Sequence, residues 1–201
     1  MEFDFLGLPA LILCPLLLLT LVILRRRGCG WPFLACLAVF FVYLMAVAAR
    51  TLFPITIDPE MARVLSEEGV TYFNRANLIP FWFGPYATAE SISLAMGQNI
   101  LLTMPFGFGI NFVARTRKWH FIWLPALVGS SIEGLQLVIS LLLGYPYRVI
   151  DVNDLIANAA GVLLGYAFFR VFRWAFLELA RGARFKPGGW LAYLLEVASR
   201  S

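Results

Sequence analysis

Five blocks of about 20 mostly apolar residues, each flanked by charged or turn-forming residues, decide what this chain can become. A water-soluble helix needs a polar face, so its apolar residues recur as a stripe and not as unbroken runs. A helix that crosses a hydrocarbon core of about 30 Å needs runs of this length. The blocks extend from about Phe5 to Leu24, Phe33 to Leu52, Ile92 to Ala114, Trp119 to Leu143 and Leu155 to Phe176. Only 14% of the 201 residues are charged, against about 25% in soluble domains. The sequence therefore predicts an all-α integral membrane protein. Residues 1–176 form a bundle of about five transmembrane helices with an outer aromatic loop, and residues 177–201 form a tail with a short amphipathic cytoplasmic helix.

Charge gives the bundle a direction, because short cytoplasmic loops carry the excess of Lys and Arg. Twelve of the sixteen basic residues fall on one set of connections: Arg25, Arg26 and Arg27, then Arg115, Arg117 and Lys118, then Arg170, Arg173, Arg181, Arg184, Lys186 and Arg200. The other set holds Arg50, Arg63, Arg75 and Arg148 together with nine acids from Glu2 to Asp154. A multi-pass protein with its N-terminus outside and its C-terminus in the cytoplasm is expected. The net charge of +4 follows from this topology and not from a basic module for nucleic acid. The first block has acids before it and its basic cluster after it, the reverse of a signal peptide, so it reads as a retained helix. Cys14 and Cys36 fall within blocks and Cys29 in a cytoplasmic turn, which argues against a structural disulfide.

The connection from Phe53 to Ser91 is long enough to need structure of its own. Asp58-Pro59-Glu60 reads as an N-cap with proline in the first turn, predicting a short helix to about Glu68. The stretch Asn77 to Tyr86 is aromatic and broken by Pro80 and Pro85. It suits a re-entrant or surface-lying segment at the headgroup layer, or a simple anchoring lid. Past the fifth block, Gly188-Gly189 precedes Trp190 to Val197, which reads as an amphipathic helix on the inner leaflet.

Polar residues inside the blocks are the most informative, since a charge at the bilayer centre costs about 2.5–3.5 kcal/mol. Glu133 and Gln136 share a face of the fourth block, with Ser130 and Ser140 extending that face. On the third block Asn99 aligns with Thr103, and Pro105 is expected to bend or loosen the helix. Arg148, Asp151, Asp154, Asn158, Gly161 and Gly165 are spaced by three or four residues. If a helix begins near Arg148 they form one stripe, polar above and small below. Asn99, Glu133, Gln136, Arg148, Asp151, Asp154 and Asn158 are thus expected to converge in the outer half of the membrane, with Arg50 and Asn77 above them. Ion pairs of Arg148 with Asp151, and of Arg50 with Asp154 or Glu133, are the purely structural alternative.

Four ordered segments carry a resemblance: Asn77-Leu-Ile-Pro-Phe81, Asn99 through Pro105 to Gly107, Ser131-Ile-Glu133-Gly-Leu-Gln136, and Arg148 through Asp151, Asp154, Asn158 and Gly161 to Gly165. Together they resemble the VanZ-like family of bacterial membrane proteins over roughly residues 50–170. The family is named for a protein associated with resistance to the glycopeptide teicoplanin. The resemblance implies a bacterial cytoplasmic membrane and a role in the cell envelope or in antibiotic response, without supplying an established reaction.

Three readings of the cluster stand beside one another. Arg50 and Arg148 can grip phosphate or carboxylate while Glu133, Gln136, Asn99 and Asn158 position hydroxyl or amide groups. The partner is then a membrane lipid, a lipid-linked envelope precursor or a lipoglycopeptide. Alternatively Glu133, Asp151 and Asp154 act as acid and base in an enzyme for envelope lipids, or hold Mg²⁺ or Ca²⁺, although no cofactor is clearly implied. The third reading is a non-catalytic scaffold for an envelope enzyme.

Overall fold

The computed structural model describes residues 2–182 and 188–200. Arg184 and Lys186, two of the basic residues expected on the cytoplasmic side, lie outside the described residues. The long helices are α1 (Leu8–Arg26), α2 (Trp31–Leu52), α5 (Ala89–Val113), α6 (His120–Leu143) and α7 (Val152–Gly182). The shorter ones are α3 (Pro59–Glu67), α4 (Tyr72–Arg75) and α8 (Gly189–Ser199). Among the described residues, the strand content is one antiparallel pair, β1 (Glu2–Phe3) with β2 (Ile55–Thr56). The fold is the all-α membrane type that the apolar blocks predict.

Among the described residues, four helices are long and apolar enough to cross a membrane, over Pro9–Arg26, Trp31–Leu52, His120–Leu143 and Val152–Arg181. At 25 residues, α5 is about 37 Å long, enough to match them, but Gln98, Asn99 and Asn111 interrupt its apolar run. Asn99 and Asn111 find partners inside the protein: Asn99 on α7, and Asn111 at the Gly107 and Phe108 carbonyls and the Thr116 hydroxyl. Gln98 is exposed, as expected for a neighbour turned about 100° away from Asn99. The helix runs unbroken through Pro105, and the Tyr43 hydroxyl of α2 donates to the Leu102 carbonyl at 2.7 Å.

The most extensive helix pairing is α5 against α7. These helices run parallel, with residues 103, 107 and 112 of α5 beside 158, 162 and 169 of α7. Glycine makes the approach possible. A Cβ on Gly107 would overlap the Val162 carbonyl, one on Gly161 the Thr103 hydroxyl and Ile100 carbonyl, and one on Gly165 the Met104 carbonyl. The predicted Gly161/Gly165 step is therefore a true backbone-to-backbone seam, answered from α5 by Gly107. The other main partner of α7 is α6, which runs antiparallel to it, with Gly129 beside Leu155 and Phe121 stacked on Tyr166 at 3.7 Å.

One end of the seam is closed by aromatic rings, as Phe108 and Phe112 of α5 meet Phe169 and Phe172 of α7. Against this cluster lies α8, whose buried Tyr193 donates to the Phe112 carbonyl while Arg173 Nε donates to the Ala198 carbonyl at 2.6 Å. The short tail helix expected from the sequence is present, with Tyr193, Val197 and Ala198 buried, and α7 itself continues to Gly182. At the other end Asp58 caps α3 as expected, accepting from Glu60 and Met61 backbone N–H at 3.1 Å each. The β1–β2 pair brings the N-terminal residues to that same end, and Phe5 packs edge-on against Phe53 at 5.4 Å.

The glycine seam makes a direct prediction. Ordinarily Gly→Ala inside a helix is favourable by roughly 0.5–1 kcal/mol, so Gly134→Ala, whose Cβ meets nothing within 4 Å, should hold or raise the melting temperature in detergent. Gly165→Ala should lower it, by the equivalent of about 1–3 kcal/mol, because α5 and α7 must move apart. Equal melting temperatures for the two variants would contradict the seam.

Candidate functional site

The polar residues picked out in the sequence gather at the end of the bundle that holds β1, β2 and the connections after α2 and α6. They do not form one convergent ring; they divide into three hydrogen-bonded groups.

The first group fixes the start of α7. This helix begins at Val152, so Arg148 and Asp151 precede it and the expected stripe starts only at Asp154. Asp151 is the cap: its Oδ1 accepts from Asn153 N–H at 2.7 Å, and its carbonyl accepts from Asp154 and Leu155 N–H. Asn77 joins it through a parallel bridge, donating from its backbone to Ile150 O and accepting from Val152 N–H. Asn77 Nδ2 also reaches Asp151 Oδ1 at 2.9 Å and the Trp82 carbonyl at 2.7 Å. From α6, buried Glu133 accepts the Asp151 N–H at 3.2 Å.

Sequence reasoning missed Asn153, which lies off the stripe. It is only 1% exposed and clamps the aromatic segment. Its Oδ1 accepts from Phe81 N–H at 2.6 Å and its Nδ2 donates to the Trp82 carbonyl at 2.8 Å. Phe81 takes a left-handed φ of 62°, which is costly for a bulky residue, by about 1–3 kcal/mol, and persists only when surrounding bonds enforce it. The rings beyond the clamp stay outside, with Phe81, Trp82 and Tyr86 exposed. The available signal was an asparagine between Asp151 and Asp154, just ahead of an apolar run.

The second group runs down the α5–α7 seam. Asn99 Nδ2 donates to Asp154 Oδ1 at 2.6 Å, and Thr103 Oγ1 donates to the Asn158 carbonyl at 2.8 Å. The Asn158 side-chain oxygen is buried without a hydrogen-bond partner, as is Ser140 Oγ on α6.

The third group finishes α2. The last carbonyls of a helix have no partner within it, and three side chains from later in the chain supply donors. Gln136 Nε2 donates to Thr51 O at 2.9 Å, Tyr147 OH to Leu52 O at 3.4 Å and Arg148 Nη2 to Phe53 O at 3.1 Å. Gln136 thus faces α2 and not α7, and Ser130 is exposed, so the polar face expected on α6 is split. Arg50 is exposed in the last turn of α2.

Ion pairing does not hold this end together. Among the described residues, the salt bridges join Arg63 to Glu60 and Glu67, Arg181 to Glu178, and Arg200 to Glu196; none joins Arg50 or Arg148 to Glu133, Asp151 or Asp154. The three carboxyls are committed to hydrogen bonds, and among the described residues no group of three or more His, Cys, Asp or Glu is placed to hold a metal ion.

Next to these networks opens a cleft of about 540 Å³ between the α2–α5 and α6–α7 connections. Thr56, Asp58, Arg75, Tyr145, Tyr147 and Arg148 give it a polar lining, and Pro54, Met61, Leu65 and Pro146 an apolar one. The Arg148 guanidinium lies 5.8 Å from the Tyr147 ring centre. Burial, reinforced by the Asp58 charge, raises the Tyr145 phenol above its ordinary value, and burial does the same to Tyr147 against the opposing pull of Arg148. Both phenols therefore stay protonated donors at neutral pH.

A bundle of long apolar helices with a hydrogen-bonded polar head at one end defines a multi-pass membrane protein whose distinctive chemistry lies at that head. The chain belongs to the VanZ/LLP1 family, whose model matches residues 40–173, from the middle of α2 to Arg173 on α7. No curated protein and no solved structure matches it.

Asn153→Ala removes both bonds to the aromatic segment. Amide exchange at residues 78–83 should speed up while the α5–α7 seam keeps its protection, with a loss of stability of about 1–3 kcal/mol. Unchanged exchange in that segment would show that the clamp is not what holds it.

Proposed function

We propose that this protein binds the anionic head of a membrane amphiphile in the cleft lined by Arg75 and Arg148, at an end of the bundle that faces outward from a bacterial cytoplasmic membrane. The observation that carries this reading is the pairing, in one cleft of about 540 Å³, of two arginines with an apolar wall of Pro54, Met61, Leu65 and Pro146. An arginine offers five donors in a planar fork suited to phosphate or carboxylate. Phe53 O takes one from Arg148 and fixes the direction of the rest. The Tyr145 and Tyr147 hydroxyls already donate to the Thr56 and Leu52 carbonyls, which leaves the arginines as the donors for an anionic head, and the apolar wall suits the first carbons of a lipid tail. Envelope lipids, lipid-linked envelope precursors and the membrane-facing part of a lipoglycopeptide share this chemistry. Tolerance of teicoplanin-type antibiotics follows on this reading if the last of these is the occupant.

An enzyme working through Glu133, Asp151 and Asp154 has less support, because each carboxyl is already engaged: Asp151 in capping α7, Asp154 by Asn99, and Glu133 by the Asp151 N–H. The outward orientation draws on the basic residues gathered at the opposite end.

Two measurements test the proposal. Purified protein in zwitterionic nanodiscs, titrated with a polyprenyl phosphate and separately with teicoplanin, should bind one of them. Arg75→Gln with Arg148→Gln should weaken that binding roughly tenfold or more, while exposed Gln98→Ala leaves it unchanged. Full affinity in a folded double variant would overturn the cleft assignment. In cells carrying a Cys14→Ser, Cys36→Ala variant, an impermeant thiol reagent should reach Cys29 only after permeabilisation. Labelling of intact cells would reverse the orientation.

A further inference from the structure

Two matching stripes face each other across the α1–α2 hairpin. On α1, Leu18, Leu21, Val22 and Arg25 share one helical face. On α2, Trp31, Leu34, Ala35 and Ala38 repeat the same steps. Between the stripes lies a groove of about 550 Å³, which Arg26 also lines. The small side chains of Ala35 and Ala38 leave this space open, and no residue of α1 from Pro9 to Arg26 is buried. We infer that the groove seats an anionic phospholipid, with its phosphate on Arg25 and Arg26 at the turn and an acyl chain running from there toward the bilayer centre.

Length puts the two parts of the groove at matching depths in a membrane. The 19 residues of α1 extend about 28 Å, close to the roughly 30 Å of the hydrocarbon core. Arg25 and Arg26, in its last turn, therefore stand at one membrane boundary. Trp31, the first residue of α2, is 67% exposed at that level, where indole rings concentrate. From Arg25 to Leu18 the groove descends by seven residues, about 10 Å, into the core. Over that distance its lining is apolar, and Leu18 and Val22 are exposed to lipid.

Charge selects the headgroup. No acidic residue occurs from Phe5 to Ile57, so the whole hairpin is without a side-chain carboxylate. Glu196 of α8, which lines a neighbouring cavity with Cys29 and Gly30 of the turn, is held by Arg200 at 2.6 Å. Arg25 is positioned from within the hairpin: its Nη1 donates to the Cys29 carbonyl at 3.2 Å, and its guanidinium lies 4.9 Å from the Trp31 ring centre. Neither contact neutralises it, and most of its five donors stay available. Arg26 has no hydrogen-bond or ion-pair partner among the described residues. The two arginines are adjacent, with Cα atoms about 3.8 Å apart, so side chains that line one groove can reach a single phosphate. A zwitterionic head carries a cation that this basic rim repels; a net anionic head does not. Every residue of the groove precedes residue 40, where the match to the VanZ/LLP1 family begins. The turn also lies at the opposite end of α2 from the carbonyl that holds Arg148, so this site is independent of the Arg75/Arg148 cleft.

The test uses the full chain in nanodiscs of phosphatidylcholine with and without phosphatidylglycerol, reading by native mass spectrometry the phosphatidylglycerol retained on the protein. Wild type is expected to retain it in preference to phosphatidylcholine. Arg25→Gln with Arg26→Gln should cut that preference about fivefold for each arginine, roughly thirtyfold together. Because Arg25 also holds the Cys29 carbonyl, Arg26→Gln alone should still show its own fivefold share without removing a bond within the protein. Ala38→Phe keeps both charges but fills the apolar part of the groove, and should lose most of the preference. An undiminished melting temperature in phosphatidylcholine checks that each variant is folded. Arg170→Gln with Arg181→Gln, an equal loss of charge at the same end of the bundle, should leave the preference unchanged. No preference in wild type, a preference that survives the Arg25 and Arg26 variants or a folded Ala38→Phe, an equal loss in the Arg170/Arg181 control, or displacement by inorganic phosphate at matched concentration would each overturn the inference.

Discussion

Everything at the polar head depends on how closely α5 and α7 approach. With Gly107, Gly161 and Gly165 at the crossing, backbone meets backbone with no side chain between. In lipid, where apolar burial gives little drive for helices to associate, such packing and the short hydrogen bonds it permits are what hold a bundle together. The spacing also sets the reach of short side chains. Asn99 meets Asp154, and Thr103 meets the Asn158 carbonyl, only because the axes are this near. A wider seam would strand those polar atoms in hydrocarbon, at several kcal/mol for each unsatisfied group.

From that seam the head is assembled outward. The start of α7 is set by the Asp151 cap; the cap is gripped by Asn77 and Glu133; Asn153, in the first turn, pins the aromatic segment. The α6–α7 connection then folds over the end of α2, and this placement leaves Arg148 on the wall of the cleft. The carboxyls that look most catalytic in the sequence make framework hydrogen bonds, and the wall of the cleft comes from the loops beside them.

Apolar block length made the helices legible in the sequence, and the three- and four-residue steps from Asp154 to Gly165 correctly placed one side of the seam. The other side was harder to read, because Gly107 sits in a Pro105-to-Gly109 stretch that looks like a loosened helix rather than a contact. Arg148 falls off the stripe for a related reason: its spacing fits, but the cap at Asp151 starts the helix after it. Gln136 and Arg148 bond to main-chain carbonyls, which every residue carries alike, so nothing in the side-chain pattern points to Thr51 or Phe53 as their partners. Asn153 falls between stripe positions, where a periodic reading does not look.

The finishing of α2 has a consequence for how the protein is made. Its terminal carbonyls at Thr51, Leu52 and Phe53 receive donors from residues 85 to 95 positions later in the chain. At synthesis rates of about 5–20 residues per second, those donors emerge roughly 5–20 seconds after the helix they complete. Over that interval the end of α2 has only interfacial water to satisfy it. The end of α2 is thus completed only when the α6–α7 connection supplies its donors.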